Sequence, residues 1–190
     1  MADHEPAADL PPADLGEEWV PGPDGIPFRR GARVLLLDDD GALLLVEGHD
    51  GDDDDHRWWF TVGGGIATGE DDRTAAVREV REESGLTVAA EDLLGPVATR
   101  SATFRFVRRT VRQDEVFFVA RVPGRRPGTD EAGWTELERD VLDQMRWFSP
   151  DELDALVAGG ATVYPSELPD LHRRVASGWD GSQPHLVQDD

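Results

Sequence analysis

Residues 64–86 read GGIATGEDDRTAAVREVREESGL. A glycine loop runs into a segment that crowds three glutamates together. The pattern is Gly64-x5-Glu70-x7-Arg78-Glu79-Val80-x-Glu82-Glu83-x-Gly85-Leu86. It predicts a helix from about Arg73 to Ser84, with Asp71 or Asp72 capping its N-terminus and Gly85 in the left-handed position that ends it. Residues three and four apart on a helix are neighbours, so Glu79 faces both Glu82 and Glu83. Like charges so placed cost a few tenths of a kcal/mol per pair. A chain that accepts this repulsion has a cation to hold.

On a helical wheel Ala76, Val77, Val80 and Ser84 fall on one side, which is expected to face a sheet. The three glutamates fall on an adjacent side. Ala75, one turn before Glu79, is expected to leave room for a ligand. Arg78 and Glu82 are spaced for an i,i+4 ion pair that would orient one carboxylate. Carboxylate oxygens suit hard cations such as Mg2+ or Mn2+. Such ions polarise phosphoryl oxygen and lower the pKa of bound water. Glycine before the helix lets backbone approach a metal or phosphate closely. The plain alternative is a solvated acidic face, and Glu-x-x-Glu-Glu alone is weak evidence against it. The longer pattern, filled at every fixed position, is far more specific.

That longer pattern resembles the motif of the Nudix hydrolases, Gly-x5-Glu-x7-Arg-Glu-U-x-Glu-Glu-x-Gly-U with U aliphatic. The likeness extends to the Trp-rich segment before the glycines, to Glu115-Val116-Phe117-Phe118, and to Arg146-Trp147-Phe148 with the Pro-Asp-Glu-Leu that follows. It covers roughly residues 28–155. The resemblance implies an α/β/α sandwich with a central mixed β-sheet. It also implies Mg2+- or Mn2+-dependent hydrolysis of a pyrophosphate bond in a nucleoside diphosphate linked to another group, with water attacking phosphorus. By position, Glu79, Glu82 and Glu83 resemble the family's metal ligands, one of them doubling as general base, and the Gly63 carbonyl resembles a further ligand. Arg78 and Glu70 resemble the pair supporting the catalytic helix, with Gly64 and Gly85 as the fixed glycines. Relatives often draw another acid from outside the motif, for which Glu115, Glu138, Asp140 and Asp143 are candidates. Ala67 and Val62 depart from residues common in relatives, Glu and Pro respectively, but neither position is fixed. The alternative class is a Nudix-like domain that binds a nucleotide or ADP-ribose and regulates without turnover; the intact glutamates favour the enzyme.

The 190 residues suffice for one domain with a core. A net charge of −21 argues against binding duplex nucleic acid or an anionic membrane through a general basic face. The expected partner is a small nucleotide diphosphate derivative, and homodimers are common in the resembling family. All 19 basic residues are arginine, for which a GC-rich genome is the ordinary reading and adaptation to high salt the other. With no cysteine, disulfides, thiolate nucleophiles and zinc–thiolate sites are excluded. The N-terminal residues show neither a basic n-region nor an apolar h-region, so a cytoplasmic protein is expected.

Residues 1–26 read as a flexible acidic arm, with Trp19 and Val20 pinning its end. Residues 27–176 read as the Nudix-type domain and 177–190 as a polar tail. Ala32–Leu37 and Ala42–Glu47 read as a hairpin, Asp50–Asp55 as a charged loop without EF-hand spacing, and Trp58–Val62 as a short strand. Ala98–Val107 and Val111–Val122 read as strands joined by an Arg108–Thr110 turn, and Met145–Phe148 as a further strand. Ser149 is expected to cap a helix through Val157, and a second helix spans Ser166–Ala176. Arg57, Arg100, Arg105, Arg108, Arg109 and Arg112 are candidate phosphate clamps. Trp58, Trp59 and Phe60 could stack a base, although core is the plainer role for each. Arg57, Trp59, Arg105, Arg112 and Glu115 form the substrate-binding candidate set. The five histidines show no metal-ligand spacing.

Overall fold

PFRRGARVLLL, residues 27–37, organises the sheet. Its apolar second half, Val34–Leu37, is buried on both faces, as a strand with partners on both edges and layers on both sides should be. A computed structural model describes Leu15 and residues 18–50, 53–106, 109–124 and 142–189. In it Pro27–Leu37 is strand β2, preceded by the short β1, Val20–Pro21. Then come β3 (Leu43–Asp50), β4 (Asp53–Gly65), helix α1 (Asp72–Ser84), β5 (Leu94–Phe106) and β6 (Arg109–Arg121). After these lie β7 (Leu142–Phe148), α2 (Pro150–Ala158), β8 (Thr162–Tyr164), α3 (Leu168–Ser177) and β9 (His185–Asp189).

The sheet is open and mixed, in the order β7-β3-β4-β2-β6-β5-β9, with β1 on β2 and β8 on β4. β2 runs parallel to β6 from Phe28↔Arg112 to Leu37↔Arg121, and antiparallel to β4 at Gly31–Val34. One core lies beneath α1 and includes Val34, Leu36, Val62, Ala76, Val80 and Phe118. A second includes Leu35, Leu37, Trp59, Phe117, Phe148, Leu153 and Leu171, and takes in α2 and α3. The layers are therefore α1, sheet, and the α2–α3 pair: an α/β/α sandwich. No helix among the described residues is long and apolar enough to cross a membrane.

Several expected elements change partners or length. β3 does return from β2, but the hairpin pairs only at Leu37↔Leu43, and β3 then runs between β4 and β7. The place beside β2 goes to the glycine end of β4, whose bare backbone allows close approach. A Cβ on Gly63 would stand 2.2 Å from the Ala32 carbonyl oxygen. The charged loop at 50–55 is shorter than expected, since β3 reaches Asp50 and β4 starts at Asp53. Arg109 and Thr110 belong to β6, while 107–108 lie outside the described residues. Within the segment expected as a tail, His185–Asp189 pairs in parallel with β5, with Leu186 packed against the second core. At the other end Trp19 stacks on Phe106, their centroids 6.3 Å apart. Residues 1–14 and 16–17 lie outside the described residues.

Both long helices with predicted caps have them. The Asp71 side chain accepts from the Arg73 and Thr74 N–H groups, and Gly85 takes φ 67°. Ser149 and Glu152 form a reciprocal capping box on α2. Fully buried Leu153 seats α2 on the sheet. Leu153→Ala is expected to lower the unfolding free energy by about 2–5 kcal/mol in a urea titration. A loss below about 1 kcal/mol would show that α2 does not depend on this contact.

Candidate active site

The site forms where β4 ends in three glycines and the loop to α1 folds back on itself. Gly63 takes φ 135°, a conformation that favours glycine. Gly64 has another constraint: a Cβ there would come within 2.6 Å of a Glu79 carboxylate oxygen. Glycine leaves the space the carboxylate fills. The loop is closed by Glu70, whose backbone N–H donates to the Ala67 carbonyl and whose Oε2 accepts from the Ala67 N–H, both at 3.0 Å.

Arg78 gathers the acids. Its Nε donates to Glu70 Oε1 at 3.0 Å and its Nη2 to Glu70 Oε2 at 2.9 Å, a two-pronged pair. Nη2 also reaches the Gly65 carbonyl at 2.8 Å. Nη1 bridges Glu79 Oε1 at 2.7 Å and Glu82 Oε2 at 2.8 Å. The repulsion foreseen between Glu79 and Glu82 is thus offset by one shared cation. The Glu70 hydrogen bond, with Glu79 and Glu82 beside it, raises the Arg78 pKa, and Arg78 in turn lowers that of Glu70. Glu79 and Glu83 are buried, and Glu83 Oε2 accepts from the Gly63 N–H at 2.8 Å. Glu82 is about half exposed, at 46%.

Ala75 is fully buried in the core with Ala76 and Val80, so it seats the helix and does not open a ligand space. Its neighbours on the wheel pull it under because the apolar stripe is narrow and small residues let α1 lie close to the sheet.

A second charged group lies along the sheet, on residues that alternate with the α1 core. In β2, Arg33 shares a face with Leu35 and Leu37. In β6, Gln113 and Glu115 share one with Phe117. Arg33 Nε donates to Glu115 Oε1 at 2.7 Å, and Arg100 Nη1 to Glu115 Oε2 at 2.7 Å. Gln113 Nε2 donates to Glu115 Oε1 at 2.5 Å, Arg29 contacts Gln113, and Arg100 contacts Gln188 on β9. Burial alone would raise the Glu115 pKa, but Arg33 and Arg100 outweigh it and hold the carboxyl below its ordinary value. Arg33 Nη1 also donates to the Gly63 carbonyl, which joins this group to the glutamates of α1.

The candidates from outside the motif therefore separate. Both oxygens of Glu115 are taken by ion pairs, which corrects the expectation of an acid turned toward metal or substrate; a buried carboxylate needs such partners. Glu138 and Asp140 lie outside the described residues, as does the Asp143 side chain. Trp59 is buried in the second core, edge-on to Phe148 with centroids 4.9 Å apart, so it is packing and not an accessible stacking platform. Arg112 pairs with Asp24. Arg105 is exposed opposite Thr110. Arg57 is exposed on β4, six residues and thus about 20 Å of strand before Gly63. Arg33 and Gln113 escaped the sequence reading. The available signal was an arginine inside an apolar strand, and a Gln-x-Glu pair spaced to share one face.

The oxygen-only donors Glu79, Glu83 and the Gly63 carbonyl match the chemistry of a hard divalent cation. Among the described residues no three His, Asp or Glu side chains are grouped to hold an ion. Glu79 and Glu82 are engaged by Arg78 and the Gly63 carbonyl by Arg33.

A family model described as NUDIX domain matches residues 27–166. No curated protein matches the chain. Among solved structures, it is similar to the Escherichia coli dihydroneopterin triphosphate pyrophosphohydrolase, at 20% identity over 79% of this chain and 97% of that one, with a TM-score of 0.54. A Caenorhabditis elegans Ap4A hydrolase complex is similar at 16% identity over 81% and 99%, with a TM-score of 0.52. A MutT protein from Methanosarcina mazei Go1 is similar at 18% identity over 78% and 93%, with a TM-score of 0.51. At these identities the likeness shows the fold.

Glu115 supplies a pH test. Its lowered pKa stabilises the fold above the ordinary carboxyl value of 4.5, and that contribution is lost as pH falls through the depressed folded value. Urea titrations between about pH 7 and pH 3 should show this loss in the wild type and a shallower slope in Glu115→Gln. The variant should also be about 3–5 kcal/mol less stable near neutrality, because two buried arginines lose their counter-charge. Identical slopes would contradict the assigned pairing.

Proposed function

The chain belongs to the Nudix family, hydrolases that cleave nucleoside diphosphates linked to another moiety, and from that premise we propose that it is a divalent-cation-dependent pyrophosphohydrolase of a small nucleotide derivative. One observation carries the reading: Glu79, Glu82 and Glu83 stand on one helix beside the Gly63–Gly65 backbone, braced by Arg78 and Glu70. An acidic helix face without a task would not need a fivefold arginine brace.

Glu79, Glu83 and the Gly63 carbonyl would hold Mg2+ or Mn2+, with Glu82 at the exposed edge. The ion supplies charge neutralisation at the phosphoryl oxygens and a more acidic water. The protein's own part is to fix carboxylates and carbonyl before substrate arrives. The Gly63 N–H orients Glu83, and Arg78 orients Glu79 and Glu82. One of these carboxylates takes the proton of the attacking water. The oxygen–phosphorus bond forms as the bridging phosphorus–oxygen bond breaks, leaving two phosphate-bearing products. A net charge of −21 sets a repulsive field for an anionic substrate, which the cation and nearby arginines would offset.

A panel of a dinucleoside polyphosphate, ADP-ribose and nucleoside triphosphates, assayed with Mg2+ and with Mn2+, tests the reading. Cation-dependent cleavage of at least one is expected; nucleotide binding with no cleavage across the panel would favour a regulatory domain. Glu82→Gln should lower kcat at least about a hundredfold, while its exposure keeps the change in stability within about 0.5 kcal/mol. Unchanged turnover in that variant would remove Glu82 from the mechanism.

A further inference from the structure

Arg33 stands where a charge is costly. Its side chain is only 11% exposed, in a strand covered on both faces. Its Nε is tethered to Glu115, and its Nη1 donates to the Gly63 carbonyl and, at 3.4 Å, to that of Thr61. Burial by itself would lower its pKa, yet Glu115, Glu83 and Glu79 together raise it, so the guanidinium lies in the field of the α1 acids as well as its own partner. The same Gly63 residue donates its N–H to Glu83. Arg33 thus covers the carbonyl oxygen of the residue whose N–H meets the glutamate cluster.

We infer that Arg33 is the resident counter-cation of this site: it holds the Gly63 carbonyl and offsets Glu79 and Glu83 until a divalent ion takes that oxygen, while Glu115 keeps it tethered nearby. The inference rests on the proposed role of the glutamates as a cation site. An arginine does not deprotonate in a protein, so it cannot make way by losing its charge. It must move, and the contact it gives up is the one to Gly63. The Nε–Glu115 ion pair is on a separate prong of the guanidinium and need not be surrendered. Glu115, with its other oxygen on Arg100, is then an anchor and not a ligand. Arg33 is a positioning residue that competes with the ion and sets the concentration at which it enters.

The test is Mn2+ binding without substrate, read from the electron paramagnetic resonance signal of free Mn2+, on wild type, Arg33→Met, Arg33→Lys and Glu83→Gln. Arg33→Met should bind Mn2+ about tenfold more tightly than wild type, since it removes a unit charge a few ångströms from the ion. Its melting temperature should be lower without Mn2+ and should gain more on saturation than that of wild type. Arg33→Lys, which keeps the charge and loses the fork, should fall between them, and it carries the comparison if the Met variant does not fold. Equal or weaker Mn2+ binding by both Arg33 variants, with wild type binding and Glu83→Gln not, would overturn the inference and leave the cation site standing. Absence of Mn2+ binding in every protein would overturn both.

Discussion

A guanidinium offers five N–H donors in a fixed plane, and Arg78 uses them in five contacts: two to Glu70 and one each to Glu79, Glu82 and Gly65. That saturation is the constraint on which the site depends. It ties the loop after β4 to the middle of α1 and converts two mutually repelling carboxylates into partners of one cation. It also determines why Glu70 sits eight residues upstream, on a loop: from there its two oxygens can meet Arg78 side on. A lysine would bring a point charge with three donors and could not reproduce the plane.

The glycines complete the arrangement from the sheet side. Gly63 must pass within contact of the Ala32 carbonyl, and Gly64 must leave room for the Glu79 carboxylate. The same bareness draws β4 against β2 in place of β3. One short sequence thus serves two ends, setting the strand order of the sheet and placing the acids of α1 against glycine backbone that has no side chain of its own. The apolar second half of β2, buried on both sides, gives this junction a rigid base.

Local signals were legible wherever the residues themselves impose the geometry. Asp71, Gly85, Ser149 and Glu152 mark helix ends through their own hydrogen bonds and backbone preference, so α1 and α2 were readable to within a residue or two. The Arg78–Glu82 pair was equally readable, being an i,i+4 contact. What escaped was non-local. The β3 ladder depends on β7, about a hundred residues away, and β9 reads as polar tail because only alternate side chains meet the core. Ala75 looked like open space because its size is visible in a sequence and its burial is not. The Arg33–Glu115–Arg100 group joins three strands, and its members look like scattered charges until the register aligns them.

The two charged groups meet at Gly63, whose N–H serves Glu83 and whose carbonyl serves Arg33. In the proposed function, the Gly63 carbonyl and the α1 glutamates together form a cation site. Its most direct measurement is anomalous diffraction at the manganese edge from crystals grown with Mn2+. A peak bounded by Glu79, Glu83 and the Gly63 carbonyl is expected, with the Arg33 guanidinium withdrawn from that oxygen. A peak elsewhere on the surface, or none at saturating Mn2+, would contradict it.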